Sequence, residues 1–477
     1  MTQPPPPPTS PAAVPSLADL AAATDTRFVL AMFVDLVGKP CAKLVPVSAA
    51  DALQADGVGF AGFAVGALGQ QPHDPDVLAV PDVSTFTPIP FVKPGLGLVH
   101  CDPTVDGRPW PFAPRVILRS VLADLARDGL NAQVGAELEY FLVRRDGSGA
   151  LVTADPHDDA DRPCYDARGL TRMYDHLTAV STAMNSLGWG NYANDHEDGN
   201  GQFEQNFTHA DALVTADRVI SARYLVSMLA QAAGMTATFM PKPFTARTGS
   251  GLHLHLSLWD DAGAPAFPDA ADTRGLGLSS TAYSFVGGLL EHARGLHALI
   301  APIVNSYKRT GAATTTSGAT WAPKGATYGG NDRTHFVRVP DGNRVELRGG
   351  DGSANPYLAT AGALAAGLAG IRSGVDPGGP RRPGGSTAPA GGPGTDPVTQ
   401  PAALPLPRTL LEATEAFSQD AVLVAAVDAA VAGWTAAGGE VLPERVSAYL
   451  SRRQSEEFFA WHDTVSTWET DRYLTAF

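Results

Sequence analysis

The sequence predicts an α+β fold, and three observations carry that expectation. Short runs such as RFVLAMFV, GAELEYFLV, GLHLHLSLW and NRVELRG have the continuous or alternating apolar character of half-buried strands. Longer stretches repeat their apolar residues at helical spacing. The two kinds are interspersed without the regular strand–helix–strand alternation of a doubly wound sheet. With 477 residues and 44% hydrophobic content, the chain can build two or three domains around a large core.

Residues 1–25 open with MTQPPPPPTSPAAVPS, whose proline density predicts a disordered, polyproline-type tail. The stretch lacks the basic start and apolar run of a signal peptide. From Thr26, RFVLAMFVDLVGKPCAKLVPV predicts two strands joined by a turn at 38–40. A helix over 48–56 and a glycine-rich loop over 57–69 follow, then the strands VLAVPD and GLGLVHCD. A small mixed sheet over 26–110 is the expected first unit.

The second unit covers 111–477. RVILRSVLADLARDG is an amphipathic helix that leads into the strand carrying Glu137 and Glu139. Helices are expected over 170–187, 211–234, 279–301 and 357–371, with GLHLHLSLW and NRVELRG as strands between them. Glycine and proline dominate 373–406, where no apolar periodicity survives, so a mobile loop is expected there. A helical piece closes the chain.

The formal charge of −15, with no basic run to offset it, argues against a nucleic-acid surface. No apolar stretch is long enough to span a bilayer. Three widely spaced cysteines form no zinc or disulfide pattern, which points to reduced thiols and a cytoplasmic location. GVGFAG at 57–62 matches G-x-G-x-x-G, but a helix precedes it and Gly66, Gly69 and Pro72 follow, so it is not a dinucleotide site. P-loop, H-E-x-x-H and G-x-S-x-G motifs are absent. His292 and His297 lie in a helical stretch and read as packed or solvated.

Four clusters carry chemistry. Glu137 and Glu139 occupy alternate positions of a strand and therefore share one face. Two buried carboxylates on one face are costly unless a cation neutralises them, and a hard divalent ion does so well. NDHEDGNGQFEQNF places Glu197 and Glu204 around a tight glycine turn, with Gln202 between them. TGSGLHLHLSL puts His253 and His255 on one strand face after a flexible turn. NRVELRGG places Glu346 between Arg344 and Arg348. Arg309, Arg333, Arg338, Arg344 and Arg348 crowd into forty residues of an otherwise acidic chain. Carboxylates that hold divalent cations opposite several guanidinium groups are what phosphoryl transfer needs.

GAELEYFL, HEDGNGQFEQNF, TFMPKP, TGSGLHLHLSL, NSYKR, RTHFVRVP and VELRGGDGSANPYLATAGALAAGL resemble, in order, the signature blocks of the glutamine synthetase family. The resemblance runs from about Arg27 to the C-terminus. It implies a small N-terminal β-grasp domain over 26–110 and a catalytic domain over 111–477 built on a funnel of antiparallel strands. It implies an ATP-dependent ligase that phosphorylates the γ-carboxylate of L-glutamate and then lets an amine displace phosphate. It also implies a homo-oligomer of stacked rings, a dodecamer, whose active sites are completed by a neighbour's N-terminal domain.

By motif position, the resemblance assigns Glu139, Glu197 and Glu204 to one metal and Glu137, His253 and Glu346 to a second, with Mg²⁺ or Mn²⁺ suiting the donors. It places His255, Ser257 and Arg344 against ATP, and Gly249, Arg309 and Arg348 against glutamate. Arg333, Arg338 and Arg344 would face the phosphates, with Arg333 and Arg338 as the catalytic pair.

The sequence departs from ammonia-using members on the amine side. The loop aspartate that binds ammonium is matched by Ala61, and no acid lies between Gly57 and Gln71. The flap after NSYKR has only Asp332 instead of a glutamate, and the glutamate-binding asparagine is Thr248. No tyrosine occupies the place of the adenylylation site of some bacterial members. GFAGFA and TTSGATWAP resemble the type III branch, which includes γ-glutamylmethylamide synthetases. A glutamate–amine ligase acting on a small, methylamine-like amine is therefore favoured over glutamine synthetase proper using ammonia. A catalytically inactive member with a structural or regulatory role is the third reading.

Overall fold

The computed structural model describes residues 15–311, 315–317, 320–381 and 403–477. Two sheets organise them. The first is seven-stranded, with Pro40–Pro46, Phe28–Val34, Leu96–Val105, Val77–Pro81 and Val58–Phe60 as its path from edge to edge. Phe28–Val34 and Leu96–Val105 run parallel and the remaining neighbours antiparallel, which makes the mixed sheet the sequence predicts. Phe28–Val34 is apolar along its whole length because it is an interior strand covered on both sides.

The second sheet has ten strands and carries the four clusters. Its path runs Asn191–His196, Gln202–Phe207, Leu130–Arg145, Leu252–Asp260, Arg344–Leu347, Val337–Asp341 and Tyr328–Gly329. Neighbours along it are antiparallel apart from the final, parallel pair. This is the antiparallel strand funnel of an α+β protein, as expected. Leu130–Arg145 is its longest strand, at 16 residues, and three short strands also pair with it.

Helices pack against this sheet. Pro356–Ser373 is apolar around most of its circumference, the mark of a helix buried on all sides. It crosses Ser280–Glu291 closely enough that a Cβ on Gly370 would lie 2.2 Å from the Ser284 carbonyl oxygen. Only glycine permits that approach.

Arg115 ties the first sheet to a helix that packs on the second. It lies on the helix Pro114–Arg127, is 4% exposed, and donates to Asp217 on the helix Ala212–Ala232 at 2.9 Å. It also donates to Asp102 at 2.8 Å and Asp82 at 2.9 Å, both from the first sheet's side. Asn355 adds a second link, donating to the Asp35 carbonyl at 3.0 Å.

Five expectations change. The helix expected over 170–187 is two, Ala167–Arg172 and Tyr174–Ser186, and the loop expected over 57–69 holds the strand Val58–Phe60 and the short helix Gly62–Val65. Leu17–Ala23 is a helix within the stretch read as tail, with a reciprocal capping box between Ser16 and Asp19 and with Leu17 and Ala21 buried; residues 1–14 lie outside the described residues. The helix expected over 279–301 is two, Ser280–Glu291 and Ala293–Ile300, broken at His292, whose ring bonds Asp420 at 2.8 Å. In the Gly/Pro segment, Leu404–Pro405 pairs with Gly325–Ala326, while 382–402 lies outside the described residues. The three cysteines are free. No helix among the described residues is long and apolar enough to cross a membrane.

Candidate active site

Strand register assembles the acidic face. Glu204 stands opposite Glu139, Glu137 opposite His253, and Glu346 opposite both His255 and Arg338. Side chains two residues apart share a face, so these pairs form a diagonal stripe across five neighbouring strands. Glu139, Glu204, His253 and Glu346 are all under a tenth exposed.

The Glu137 carboxylate bonds His253 Nδ1 and His255 Nε2, each at 2.8 Å. Burial opposes its charge, but the two imidazoles prevail and hold the carboxyl below its ordinary range. Glu346 is fully buried between guanidinium groups: Arg338 Nη1 lies 2.6 Å from one oxygen and Arg348 Nη1 bonds the other. Its carboxyl is also held low, against the opposing effect of burial, chiefly by His253 and Arg348.

Glu197 and Glu204 behave in the opposite way. Burial and the charge of Glu139 push Glu197 up to about 8. Burial and the charges of Glu137, Glu197 and Glu139 push Glu204 well above the usual carboxylate range. Carboxylates that repel one another while buried form a site that a divalent cation neutralises.

Whether the residues suit such an ion is decided by donor chemistry and by an orphaned atom. Glu137, Glu204 and His253 offer ligand atoms within 4.8 Å of one another, and so do Glu137, His255 and Glu346. His253 Nε2 is buried with no partner and lies 3.8 Å from Glu139 Oε1. Oxygen donors with one imidazole fit Mg²⁺ or Mn²⁺. This grouping differs from the one implied by motif position: Glu204 joins Glu137 and His253, and His255 joins Glu137 and Glu346. Glu139 and Glu197 fall in neither triad. Glu139 Oε2 accepts from the Gly251 N–H at 2.7 Å, leaving only its other oxygen for an ion.

The turn before the histidine strand covers Arg309. A Cβ on Gly249 would lie 2.3 Å from the Pro241 carbonyl oxygen and 2.9 Å from Arg309 Cγ, so no side chain fits there. Arg309 is 4% exposed, and its Nη1 is buried without a partner, a charged donor poised for an anion. Arg344 Nε donates to His255 Nδ1 at 3.1 Å. Ser257 Oγ accepts from the Trp259 indole at 3.1 Å on the same strand. Arg333 is exposed, and its carbonyl accepts from Arg348 Nε at 3.1 Å.

A glutamine synthetase catalytic-domain model matches residues 111–473. A protein of Rhizobium leguminosarum bv. phaseoli named glutamine synthetase is 46% identical over 76% of this chain and 82% of its own length. A glutamate–methylamine ligase of Methyloversatilis universalis is 42% identical over 74% of this chain and 80% of its own. The chain belongs to the glutamine synthetase family. Its backbone also superposes on a solved GmaS–ADP complex with a TM-score of 0.84 and 42% identity, covering 96% of this chain and 99% of that one.

Within this glutamine synthetase fold, three polar side chains support the site; none had a role assigned from sequence, which marked only Gln202, as lying between Glu197 and Glu204. Gln202 is fully buried and donates to Glu139 Oε2 at 2.9 Å. Asp158 bonds His196 Nε2 at 2.9 Å and also receives the Gly201 N–H, which fixes the turn that carries Glu197. Asp198 Oδ2 accepts from Thr248 Oγ1 at 3.0 Å, Trp321 Nε1 at 2.8 Å and Ser317 Oγ. The only forewarning was local: an Asp and a Gln inside a glycine turn, where a solvated loop is the commoner reason for both.

Proposed function

We propose that this protein joins the γ-carboxylate of L-glutamate to a small amine at the expense of ATP. The observation that carries the reading is the glutamate–histidine stripe set against Arg309, Arg338 and Arg348 in a glutamine synthetase fold. The amine preference is supported by the kinship to a glutamate–methylamine ligase and the likeness to GmaS. It is supported too by the sequence on the amine side, where Ala61 stands at the position of the ammonium-binding aspartate and the flap has no glutamate.

In the first half-reaction a γ-carboxylate oxygen of glutamate attacks the γ-phosphorus of ATP, and the bond to ADP breaks. Glu137, Glu139, Glu197, Glu204, His253 and Glu346 would hold Mg²⁺ or Mn²⁺, which would supply charge neutralisation at the phosphates. Arg333 and Arg338 stabilise the negative charge that develops on the moving phosphoryl. Arg309, Arg348 and the Gly249 turn orient glutamate. His255, Ser257 and Arg344 hold ATP. In the second half-reaction the amine nitrogen attacks the acyl phosphate carbonyl, phosphate leaves, and the nitrogen sheds its extra proton. Phosphorylation is what makes an unreactive carboxylate an acyl donor.

Assembly into stacked rings, with each site completed by a neighbour's N-terminal sheet, belongs to the same proposal. Ammonia as the physiological amine is the second reading. It is favoured by the 46% identity to the Rhizobium leguminosarum glutamine synthetase.

The deciding experiment measures phosphate release with ATP, Mg²⁺ and L-glutamate, comparing ammonia, methylamine, ethylamine and ethanolamine at sub-saturating concentration. Faster turnover with an alkylamine establishes the amine ligase. A preference for ammonia makes this a glutamine synthetase. No turnover with any amine leaves the inactive reading.

A further inference from the structure

Gln202 bridges three elements of the site. Its amide is completely buried, and every hydrogen-bonding group it owns is used. Nε2 donates to Glu139 Oε2 at 2.9 Å and to the Gly249 carbonyl at 3.2 Å. Oε1 accepts from the Gly199 N–H at 3.0 Å, while its backbone carbonyl accepts from the Glu197 N–H at 2.9 Å. One residue thus touches the strand of Glu139, the turn of Glu197, and the glycine turn above Arg309.

We infer that Gln202 is a positioning residue that couples cation binding at the glutamate cluster to glutamate binding at the Gly249 turn. The inference rests on the metal and substrate assignments made under the proposed function.

The physical reason is that neither end can move alone. A cation that draws Glu139 toward it pulls on an oxygen shared by Gln202 and the Gly251 N–H, the latter at 2.7 Å. Either the amide and the turn follow, or a buried hydrogen bond is left unmade, which costs more than the bond itself contributes. The turn in its turn is packed on Arg309, with 2.9 Å from the position of a Gly249 Cβ to Arg309 Cγ. Two sites joined by a contiguous, fully satisfied network share a coupling free energy, and that coupling is reciprocal.

The test uses full-length protein and two direct binding measurements. Mn²⁺ is titrated by electron paramagnetic resonance with and without L-glutamate, and L-glutamate by calorimetry with and without Mn²⁺. In wild type each ligand should tighten the other by the same factor, on the order of 5–150-fold. In Gln202→Met, which keeps the length of the side chain and loses its donors, both ligands should still bind, with that factor reduced to about 1. An unchanged factor in folded Gln202→Met overturns the inference, as does a wild-type factor of 1. Should the methionine variant fail to fold, Gln202→Glu keeps the acceptor for Gly199 and cannot donate to both Glu139 and Gly249; the same loss of coupling is expected and the same persistence overturns. Wild-type protein that binds neither ligand sinks the metal and glutamate assignments themselves, and this inference with them.

Discussion

Glu137 bonds two imidazoles at once, His253 through one carboxylate oxygen and His255 through the other, each at 2.8 Å. Glu204, on the neighbouring strand, accepts from the Asn206 amide and is opposed by the charges of Glu137, Glu197 and Glu139. These neighbours give opposite consequences for stability. Glu204→Gln removes a strained charge and should raise the melting temperature of metal-free protein by about 1–3 °C. Glu137→Gln removes two charge-assisted bonds and should lower it. Both variants should lose at least about 100-fold in Mn²⁺ affinity. Melting curves and Mn²⁺ titration check both; a fall in melting temperature for both substitutions would contradict the electrostatics.

Asp35 gives the pH dependence. It is 1% exposed, and burial pushes its carboxyl up to about 6, against the opposing pull of the Lys39 and Val37 N–H groups. A folded pKa above the unfolded value means that the native state binds more protons between about 4 and 6, so stability falls as pH rises through that window and is flat above it. Asp35→Asn keeps an acceptor for both N–H groups and carries no charge. Its melting temperature should match wild type near pH 4 and exceed it above pH 6, by the equivalent of about 1–3 kcal/mol. An equal difference at every pH would mean that Asp35 does not titrate there.

Arg115 closes three carboxylates from two parts of the fold. Arg115→Ala leaves Asp82, Asp102 and Asp217 without their shared partner and should cost about 3–5 kcal/mol. Arg115→Lys should recover little, since one ammonium cannot present the planar fork that bonds both oxygens of Asp217. Denaturant unfolding of the three proteins measures this directly. Full rescue by lysine would show that charge alone, without geometry, holds the joint.

Trp321 tests the amine side. Its indole N–H is tied to Asp198, which also holds Thr248 next to the Gly249 turn. Trp321→Ala should lower kcat/KM for methylamine more than for ammonia, shifting their ratio by about 10-fold, because a methyl group gains from an apolar wall and ammonia does not. Trp321→Phe should keep most of that ratio. Equal loss with both amines would make the indole a general support and not a selectivity element.

Period-two patterns made the site legible. Glu137 and Glu139, His253 and His255, and Glu346 between two arginines were on one strand face each because alternate residues of any strand are. Helices such as Ala212–Ala232 and Pro356–Ser373 lie close to their expected bounds, since apolar spacing and flanking Asp, Asn and Pro mark them locally. The helix Leu17–Ala23 was missed although Ser16 and Asp19 spell its cap, because the prolines before it dominate the composition. Asp158 and Asp198 carried no usable signal, and Gln202 only its place between Glu197 and Glu204, since, the Gly199 N–H apart, their partners at the site lie 38 to 123 residues away in the chain.

The sequence by itself determined the family, the α+β class, and that Glu137, Glu139, Glu204, His253, His255 and Glu346 lie on strands, because each depends on local periodicity or on motif order. Only the tertiary structure decided how they pair. Antiparallel register set Glu204 against Glu139 and Glu137 against His253, and left Glu137 held low while Glu197 and Glu204 are pushed up. A carboxylate's charge state follows from its burial and its neighbours across strands, and neither is written in the spacing of residues along one strand.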